Sequence, residues 1–332
     1  MSSKKILVTG GAGYIGSHTV RLLANSGYNV IVLDNLVYGH REAIVNTEVE
    51  LIVGDLGDQD LTARLFEYHD IEAVIHFAAY AYVNESVTDP EKYYKNNVAA
   101  SLNLLEIMRK KQCLKFIFSS TCATYGNPQY VPIDEKHPQN PINPYGMSKL
   151  MLEKILIDYE KAYNFKYAFL RYFNASGASE DGILGEDHNP ETHLIPLILD
   201  AVTGDRPHIT VFGTDYDTPD GTCIRDYIHV LDLASAHLAS LKYLSDGGLS
   251  HICNLGTGKG VSVKEMIKVV EAVTGKSVPV VFGPRRAGDP PYLYANAAQA
   301  KEILGWQAQY TDVKDIVTHA WNWKTGNKGG KY

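Results

Sequence analysis

Cysteine is scarce in this chain. Cys113, Cys122, Cys223 and Cys253 are the only four in 332 residues, and no two form a C-x-x-C pair. That spacing argues against a thiolate metal cluster and against a disulfide framework, so neither a bound metal nor a disulfide scaffold is expected. Basic residues are in deficit too. The 31 Lys and Arg stand against 38 Asp and Glu, giving a net charge of −7. A chain of that sign has no polyanion-binding footprint, and no nucleic-acid partner is expected, although single cations can still converge on one phosphate. Nowhere does an uninterrupted apolar stretch reach the ~18 residues of a membrane span, so no membrane association is expected. The first residues, MSSKKILVTGG, run into a strand and a glycine loop without a signal-peptide pattern, which sets the expectation of a soluble cytoplasmic protein. Internal repeats and low-complexity linkers are also lacking.

What is present is ordinary globular composition, 45% hydrophobic and 21% charged, with ample material for a core. The length suits one large domain or two smaller ones. Ile6 to Val8 reads as a buried strand. A loop follows with glycines at Gly10, Gly11, Gly13 and Gly16, and a helical pattern opens around Tyr14 and Ile15. Glycines in that setting let backbone N–H groups approach a pyrophosphate at a helix N-terminus. The next strand, 29–33, ends in Asp34, an acid placed to accept from ribose hydroxyls and to repel a 2′-phosphate, which favours NAD over NADP. Further strands are predicted at 51–53, followed by Asp55; at 73–77, running into Ala78 and Ala79; at 115–118, ending in Ser119, Ser120 and Thr121; and at 167–172. One long helix is predicted over 90–111, carrying Asn96 and Asn97, and another over 231–244 ahead of a strand at 252–255.

Alternating strands and helices imply an α/β fold: a Rossmann-type, doubly wound parallel sheet covered on both faces, with a smaller C-terminal substrate-binding domain. The predicted division gives the sheet domain residues 1–175, plus returning segments at about 223–262. The smaller lobe takes about 176–222 and 263–332, over the sheet's carboxyl edge.

Tyr145 and Lys149, in the stretch YGMSK, stand four residues apart and share one helix face. A free phenol, with a pKa of about 10, is a poor base at neutral pH. An ammonium held beside it favours the phenolate, so the pair is a candidate proton-transfer device.

Taken together, TGGAGYIG, Asp34, HFAA, FSSTCATYG, NPYGMSK, LRYFNASG, VFGTDYDTPDGTCIRDYIHV, NLGTG and RRAGDP resemble the extended short-chain dehydrogenases, and among them the UDP-hexose 4-epimerase family. The resemblance runs over nearly the whole chain in the family's order. It implies NAD held by the Rossmann domain, a UDP-sugar held by the smaller one, and epimerisation at C4 through a 4-keto sugar. Tyr145 would be the base, Lys149 would hold the nicotinamide ribose and lower the tyrosine pKa, and Thr121 would bond the reacting oxygen. Cofactor contacts would fall on Gly10, Gly13, Tyr14, Ile15, Gly16, Asp34, Asn35, Asp55, Leu56, Phe77, Ala78, Ala79, Asn96, Ser119 and Tyr172, besides Tyr145 and Lys149. Substrate contacts, besides Thr121 and Tyr145, would fall on Asn174, His193, Leu194, Phe212, Arg225, Arg286, Asp289 and Leu293. Relatives commonly dimerise through two helices per subunit, which implies a homodimer using helices near 90–111 and 145–163.

Three positions depart from the family pattern. Ala81 stands where some members carry a cofactor-contacting lysine, and His193 where an asparagine often meets substrate. Leu293 is intermediate in size at a position where a tyrosine goes with restriction to UDP-glucose and UDP-galactose, and a small residue with acceptance of N-acetylated sugars. Rival readings are a nucleotide-sugar dehydratase, a UDP-glucuronate 4-epimerase or decarboxylase, and a non-catalytic NAD-binding regulator. The dehydratases use an Asp-Glu pair directly after the Thr, where this chain has Cys122-Ala123.

Overall fold

The protein is described by a computed structural model covering residues 4–45, 48–286, 288–327 and 329–332. Seven parallel strands form its central sheet. Six come from the first half of the chain: β1 (Lys5–Thr9), β2 (Asn29–Asp34), β3 (Glu50–Val53), β4 (Ile71–His76), β5 (Lys115–Thr121) and β6 (Lys166–Tyr172). The seventh, His251–Leu255, returns from far down the chain to pair with β6. From that edge the order is β6, β5, β4, β1, β2, β3. These strands are runs of Val, Ile, Leu and Phe because both faces are covered.

Alternate residues of each strand point to opposite faces and feed two cores. Ile6, Val8, Val32, Ile75 and Ile117 meet the helices Tyr14–Asn25 and Val230–Ser245. Leu7, Ile31, Val74, Phe116 and Phe118 meet Gln59–Tyr68, Ser101–Lys110 and Pro144–Tyr163. The strand order reverses at β1, which lies between β2 and β4, and open α/β sheets bind ligands at such a point. The backbone N–H groups of Phe77 and Ala78, just beyond β4, both donate to the Thr9 carbonyl, at 2.8 and 3.0 Å.

The helix predicted over 90–111 is not regular. It begins as Pro90–Tyr93, widens to a π-helix over Tyr94–Ala100, and resumes as Ser101–Lys110. The wide turn contains Asn97, whose amide is fully engaged inside the fold rather than on a helix surface. Its Oδ1 accepts from Tyr80 N at 2.9 Å, and its Nδ2 donates to Tyr80 O at 3.0 Å and Ser148 Oγ at 3.1 Å. Apolar periodicity carries no sign of a local insertion of this kind.

The remaining strands form smaller sheets. Ile224–His229 pairs with Asn174–Ser176 and Tyr292–Leu293 in parallel and with Gly260–Ser262 antiparallel. Ile209–Phe212 pairs with Val280–Gly283. A third core, including Ile198, Met266, Val270 and Val317, joins the helices Leu194–Thr203, Val263–Thr274 and Val313–Thr325. The lobe is tied back by Ile133, whose N–H donates to Tyr294 O and whose carbonyl accepts from Asn296 N. Among the described residues no helix is long and apolar enough to cross a membrane. The four cysteines are buried and unpaired.

Candidate active site

The glycine loop leaves β1 and enters the helix Tyr14–Asn25 at the strand-order reversal. A Cβ on Gly16 would fall 2.2 Å from the Gly10 carbonyl, so the chain itself requires glycine there. A Cβ on Gly13 would meet only that same carbonyl, at 3.4 Å. No protein side chain packs over Gly13, which leaves room for a pyrophosphate at the helix N-terminus. Tyr14 donates its hydroxyl to Gly177 O at 2.6 Å, and Ile15 packs on the first core. Asp34 ends β2 almost fully buried. Its Oδ2 accepts from Ala12 N and its Oδ1 from Leu36 N, both at 2.9 Å. Burial raises its pKa, and these two N–H groups oppose the rise. Asp34 thus braces the glycine loop from below. Beside it Asn35 donates to Asp55 Oδ2 at 2.8 Å, and Leu56 is buried in the second core. Phe77 packs its ring on His237, with centroids 4.6 Å apart, ahead of Ala78 and Ala79. Asn96 donates to Asn97 Oδ1 at 2.9 Å.

Tyr145 and Lys149 lie on the first turns of the helix Pro144–Tyr163. Asn143 caps it by accepting from Gly146 N at 2.8 Å, and Pro144 occupies the first turn. Gly146 allows that turn to press onto the Cys122–Thr124 turn after β5, since a Cβ there would lie 2.5 Å from Ala123 O. The close approach brings Tyr145 to Thr121. Tyr145 is 8% exposed, Thr121 6% and Lys149 4%. Burial, reinforced by Tyr172, pushes the Tyr145 phenol well above its ordinary value, and a hydrogen bond from Thr121 pulls the other way. The expected lowering by Lys149 is not what the protein alone produces. The Lys149 ammonium is 6.0 Å from the Tyr145 ring centroid and donates to Ser119 O at 2.9 Å. Its own pKa is lowered to about 7 by burial, with the Glu153 carboxylate opposing. Ser119 Oγ lies 2.7 Å from the Tyr172 hydroxyl, and burial raises that phenol to about 12.

In the small sheet, Arg225 of Ile224–His229 donates to the carbonyls of Ile224 and Pro290, at 2.9 and 2.8 Å, and its Nη2 lies 3.4 Å from Asp289 Oδ1. Leu293 is opposite Arg225 in the strand register, packed on the cluster that includes Cys122 and Phe173. The Arg286 guanidinium lies over the Phe212 ring at 4.2 Å. Asn174 donates to Asp226 O at 2.9 Å. Cys122 follows Thr121, so the packing of Leu293 on that cluster sets this sheet against the end of β5. Leu194 opens the helix Leu194–Thr203. His193, just before it, is engaged elsewhere: its Nδ1 lies 2.7 Å from Glu186 Oε1 and 3.0 Å from Glu191 Oε1.

Sequence reasoning passed over a polar network beneath this wall. Glu153 and Arg171, 1% and 2% exposed, form a two-pronged ion pair at 2.9 and 2.6 Å. Ser120 donates to Glu153 Oε1 at 2.6 Å, and Arg171 Nη1 donates to the Tyr125 hydroxyl at 2.9 Å. Tyr125 in turn donates to Asn254 Oδ1 at 2.6 Å. One signal was available. Arg171 interrupts the apolar strand KYAFLRY, and a charge in a buried strand requires a partner.

A glycine-loop crevice at the sheet's reversal, walled by a buried Tyr–Lys pair and a threonine hydroxyl, defines the extended short-chain dehydrogenase class of nucleotide-cofactor enzymes. Residues 6–256 match the NAD dependent epimerase/dehydratase family, and the chain belongs to it. A UDP-glucose 4-epimerase from Halalkalibacterium halodurans is 51% identical over 318 residues, 96% of this chain and 95% of that one. The crystal structure of UDP-glucose 4-epimerase from Brucella ovis in complex with NAD superposes with a TM-score of 0.93 at 51% identity, covering 96% of this chain and 97% of the other. That of UDP-glucose 4-epimerase from Bifidobacterium longum in complex with NAD+ and UDP does so with a TM-score of 0.93 at 42% identity, covering 98% and 100%. The resemblance read from the motifs is borne out.

Lys149 carries a pH signature of its own. An unfolded lysine titrates near 10.4, the folded one near 7. Below about pH 7 both states are protonated and burying the ammonium costs stability in full. Between about 7 and 10.4 the unfolded state holds a proton that the folded state has released, so that cost fades as pH rises. Denaturant unfolding over pH 6–10 is expected to show wild-type stability gaining on Lys149→Met through this window; parallel curves would contradict the assignment.

Proposed function

We propose that the protein interconverts UDP-glucose and UDP-galactose by inverting C4, with NAD bound throughout. The observation that carries this reading is the buried wall of Tyr145, Thr121 and Lys149 at the same carboxyl edge of the parallel sheet as the glycine loop. The names of relatives 42–51% identical, matched over nearly their full length, support the same substrate. Residues 1–175 and about 223–262 would hold the cofactor, and about 176–222 and 263–332 the UDP-sugar. Gly13 and its neighbours would seat the pyrophosphate, Asp34 the adenosine ribose and Lys149 the nicotinamide ribose. Bound NAD supplies a reversible oxidant for C4 with no net redox change, and its cationic ring favours the Tyr145 phenolate that burial alone disfavours.

Tyr145 takes the proton of the 4-hydroxyl and returns it, while Thr121 holds the reacting oxygen. Arg225 and Arg286 are the guanidinium groups for the diphosphate, a pairing suited to two-pronged hydrogen bonding. Asn174, Leu194, Phe212 and Asp289 complete that side. Dehydration would need a further acid and base after Thr121. Cys122 stands there, its thiol pushed up to about 12 by burial, so it neither takes nor gives a proton near neutral pH.

The first test is conversion of UDP-galactose to UDP-glucose by purified protein without added cofactor. Tyr145→Phe is expected to lower kcat by roughly 10²–10⁴-fold with the far-UV spectrum unchanged. A variant within tenfold of wild type would remove Tyr145 from its role, and a wild-type protein inert even with added NAD would remove the activity.

Leu293 lines the substrate side with a side chain smaller than tyrosine. UDP-GlcNAc is expected to be turned over at least weakly, and Leu293→Tyr to lose that turnover while keeping UDP-glucose. Complete inertness of wild type toward UDP-GlcNAc would sink this assignment.

A homodimer is also proposed. Met147, Leu150, Met151 and Ile155 of one helix and Val98 of the neighbouring π-turn line an apolar groove on the surface, and Met151 and Leu102 are 39% and 40% exposed. Sedimentation at micromolar concentration is expected to give a dimer for wild type and a monomer for Met151→Glu. A monomeric wild type would discard the interface.

A further inference from the structure

Between the strand Asn174–Ser176 and the helix Leu194–Thr203, eight residues carry a His/Glu set that the proposed reaction does not use: Glu186, His188, Glu191 and His193. One potential ligand atom from each lies within 4.8 Å of all the others. His193 Nδ1 is 2.7 Å from Glu186 Oε1 and 3.0 Å from Glu191 Oε1. His188 Nδ1 is 3.2 Å from Glu186 Oε1 and 3.7 Å from Glu191 Oε2. Nitrogen and oxygen ligands about 2.1 Å from a tetrahedral zinc ion are themselves roughly 3.4 Å apart, so a set gathered within 4.8 Å needs only small side-chain adjustments to close a coordination shell.

A second observation separates this from an ordinary surface ion pair. The Glu186 side chain is 5% exposed, and both Glu186 Oε1 and His188 Nδ1 are buried atoms without a hydrogen-bond partner. They are near each other and near the other two residues, yet not aligned for hydrogen bonding. Atoms that converge on a shared centre adopt that arrangement, and leaving them unmatched in a buried site is costly. Glu191 is pre-oriented: its Oε1 accepts from Thr192 N at 2.6 Å and His193 N at 2.8 Å, which leaves Oε2 facing His188. A cavity of about 90 Å³, lined also by Trp323 and Lys324, opens beside Glu186, His188 and Glu191. The Lys324 ammonium is held by Asp200 at 2.6 Å and Asp205 at 2.9 Å. The half-exposed His193 gives the site an entry from solvent.

We propose that Glu186, His188, Glu191 and His193 bind one divalent transition-metal ion, with zinc the best match to two imidazoles and two carboxylates in a closed four-ligand shell. A dication balances the two carboxylates while both imidazoles stay neutral. The ion fixes the loop that leads into the helix Leu194–Thr203. It also joins that loop to Tyr14 of the cofactor loop, whose ring meets His188 edge-on at 6.1 Å. The site is structural, and its occupancy does not depend on the sugar reaction.

The test uses the full chain without a histidine tag. Metal analysis of the purified protein is expected to find about one zinc per chain. After chelation, added zinc should raise the Tm, and added cobalt should give the visible absorption of a tetrahedral site. Glu186→Gln and His188→Ala should each weaken zinc binding by at least about 100-fold, the upper end of what losing a mere outer-shell partner costs. Folded wild-type protein that holds no metal and gains no Tm with zinc would overturn the proposal, leaving mutual ion pairs only. So would zinc bound with unchanged affinity by both variants.

Discussion

Burying a phenol and an ammonium on one turn of helix is the constraint on which the rest of this molecule depends. Water would solvate both charged forms, and the interior solvates neither. Tyr145 is therefore held neutral and Lys149 is brought to the edge of losing its proton. The arrangement persists because the helix continues the same stripe inward. Residues 145, 149 and 153 stand four apart, so Glu153 follows Lys149 on the face turned to the sheet and gives back part of what desolvation removes. Glu153 in turn is anchored by Arg171 of β6 and Ser120 of β5. Stripping either partner from a buried pair typically costs about 3–5 kcal/mol, because the other charge remains without compensation. The network supporting the wall is thus as constrained as the wall itself.

The same stripe explains how far the sequence could be read. Strands in Val, Ile and Phe, the glycine loop, Asp34 and the Tyr–Lys spacing are local patterns, and each falls where the pattern places it. The returning helix is observed at Val230–Ser245 and the returning strand at His251–Leu255, within two residues of the periodicity. The π-helix at Tyr94–Ala100 was hidden, since it is set by Asn97 reaching Tyr80, seventeen residues back. Glu153–Arg171 and Tyr125–Asn254 were hidden for the same reason. Each is a long-range pairing of polar groups, and single-residue propensities do not encode partners.

His193 shows the limit most clearly. The family pattern assigns that position to substrate, and its chemistry in this chain is set by neighbours that no strand or helix period marks. Glu186, His188 and Glu191 sit in an irregular loop. The expectation of no metal rested on cysteine spacing, which tests thiolate sites alone. A His/Glu set spread over eight loop residues has no fixed spacing to recognise, and only the folded loop brings its ligand atoms within 4.8 Å of one another.

Charge placement ties the site together. The protein is acidic overall, yet three of its cations stand where the proposed reaction places anionic or developing charge: Lys149 behind Tyr145, and Arg225 and Arg286 beyond the central sheet. Asp289 lies 3.4 Å from Arg225, and the Phe212 ring lies beneath Arg286. Both arrangements hold the guanidinium planes without saturating their donors, so each retains N–H groups that could serve the proposed diphosphate. Holding Arg225 further by the carbonyls of Ile224 and Pro290 fixes its plane before any ligand arrives. Preorganisation of this kind lowers the ordering cost of binding, and in the proposed reaction it would leave the sugar end of the ligand as the part still free to turn. An epimerase of the proposed kind would need that combination: a nucleotide clamped at one end, and a reacting carbon that can present either face to the same cofactor ring.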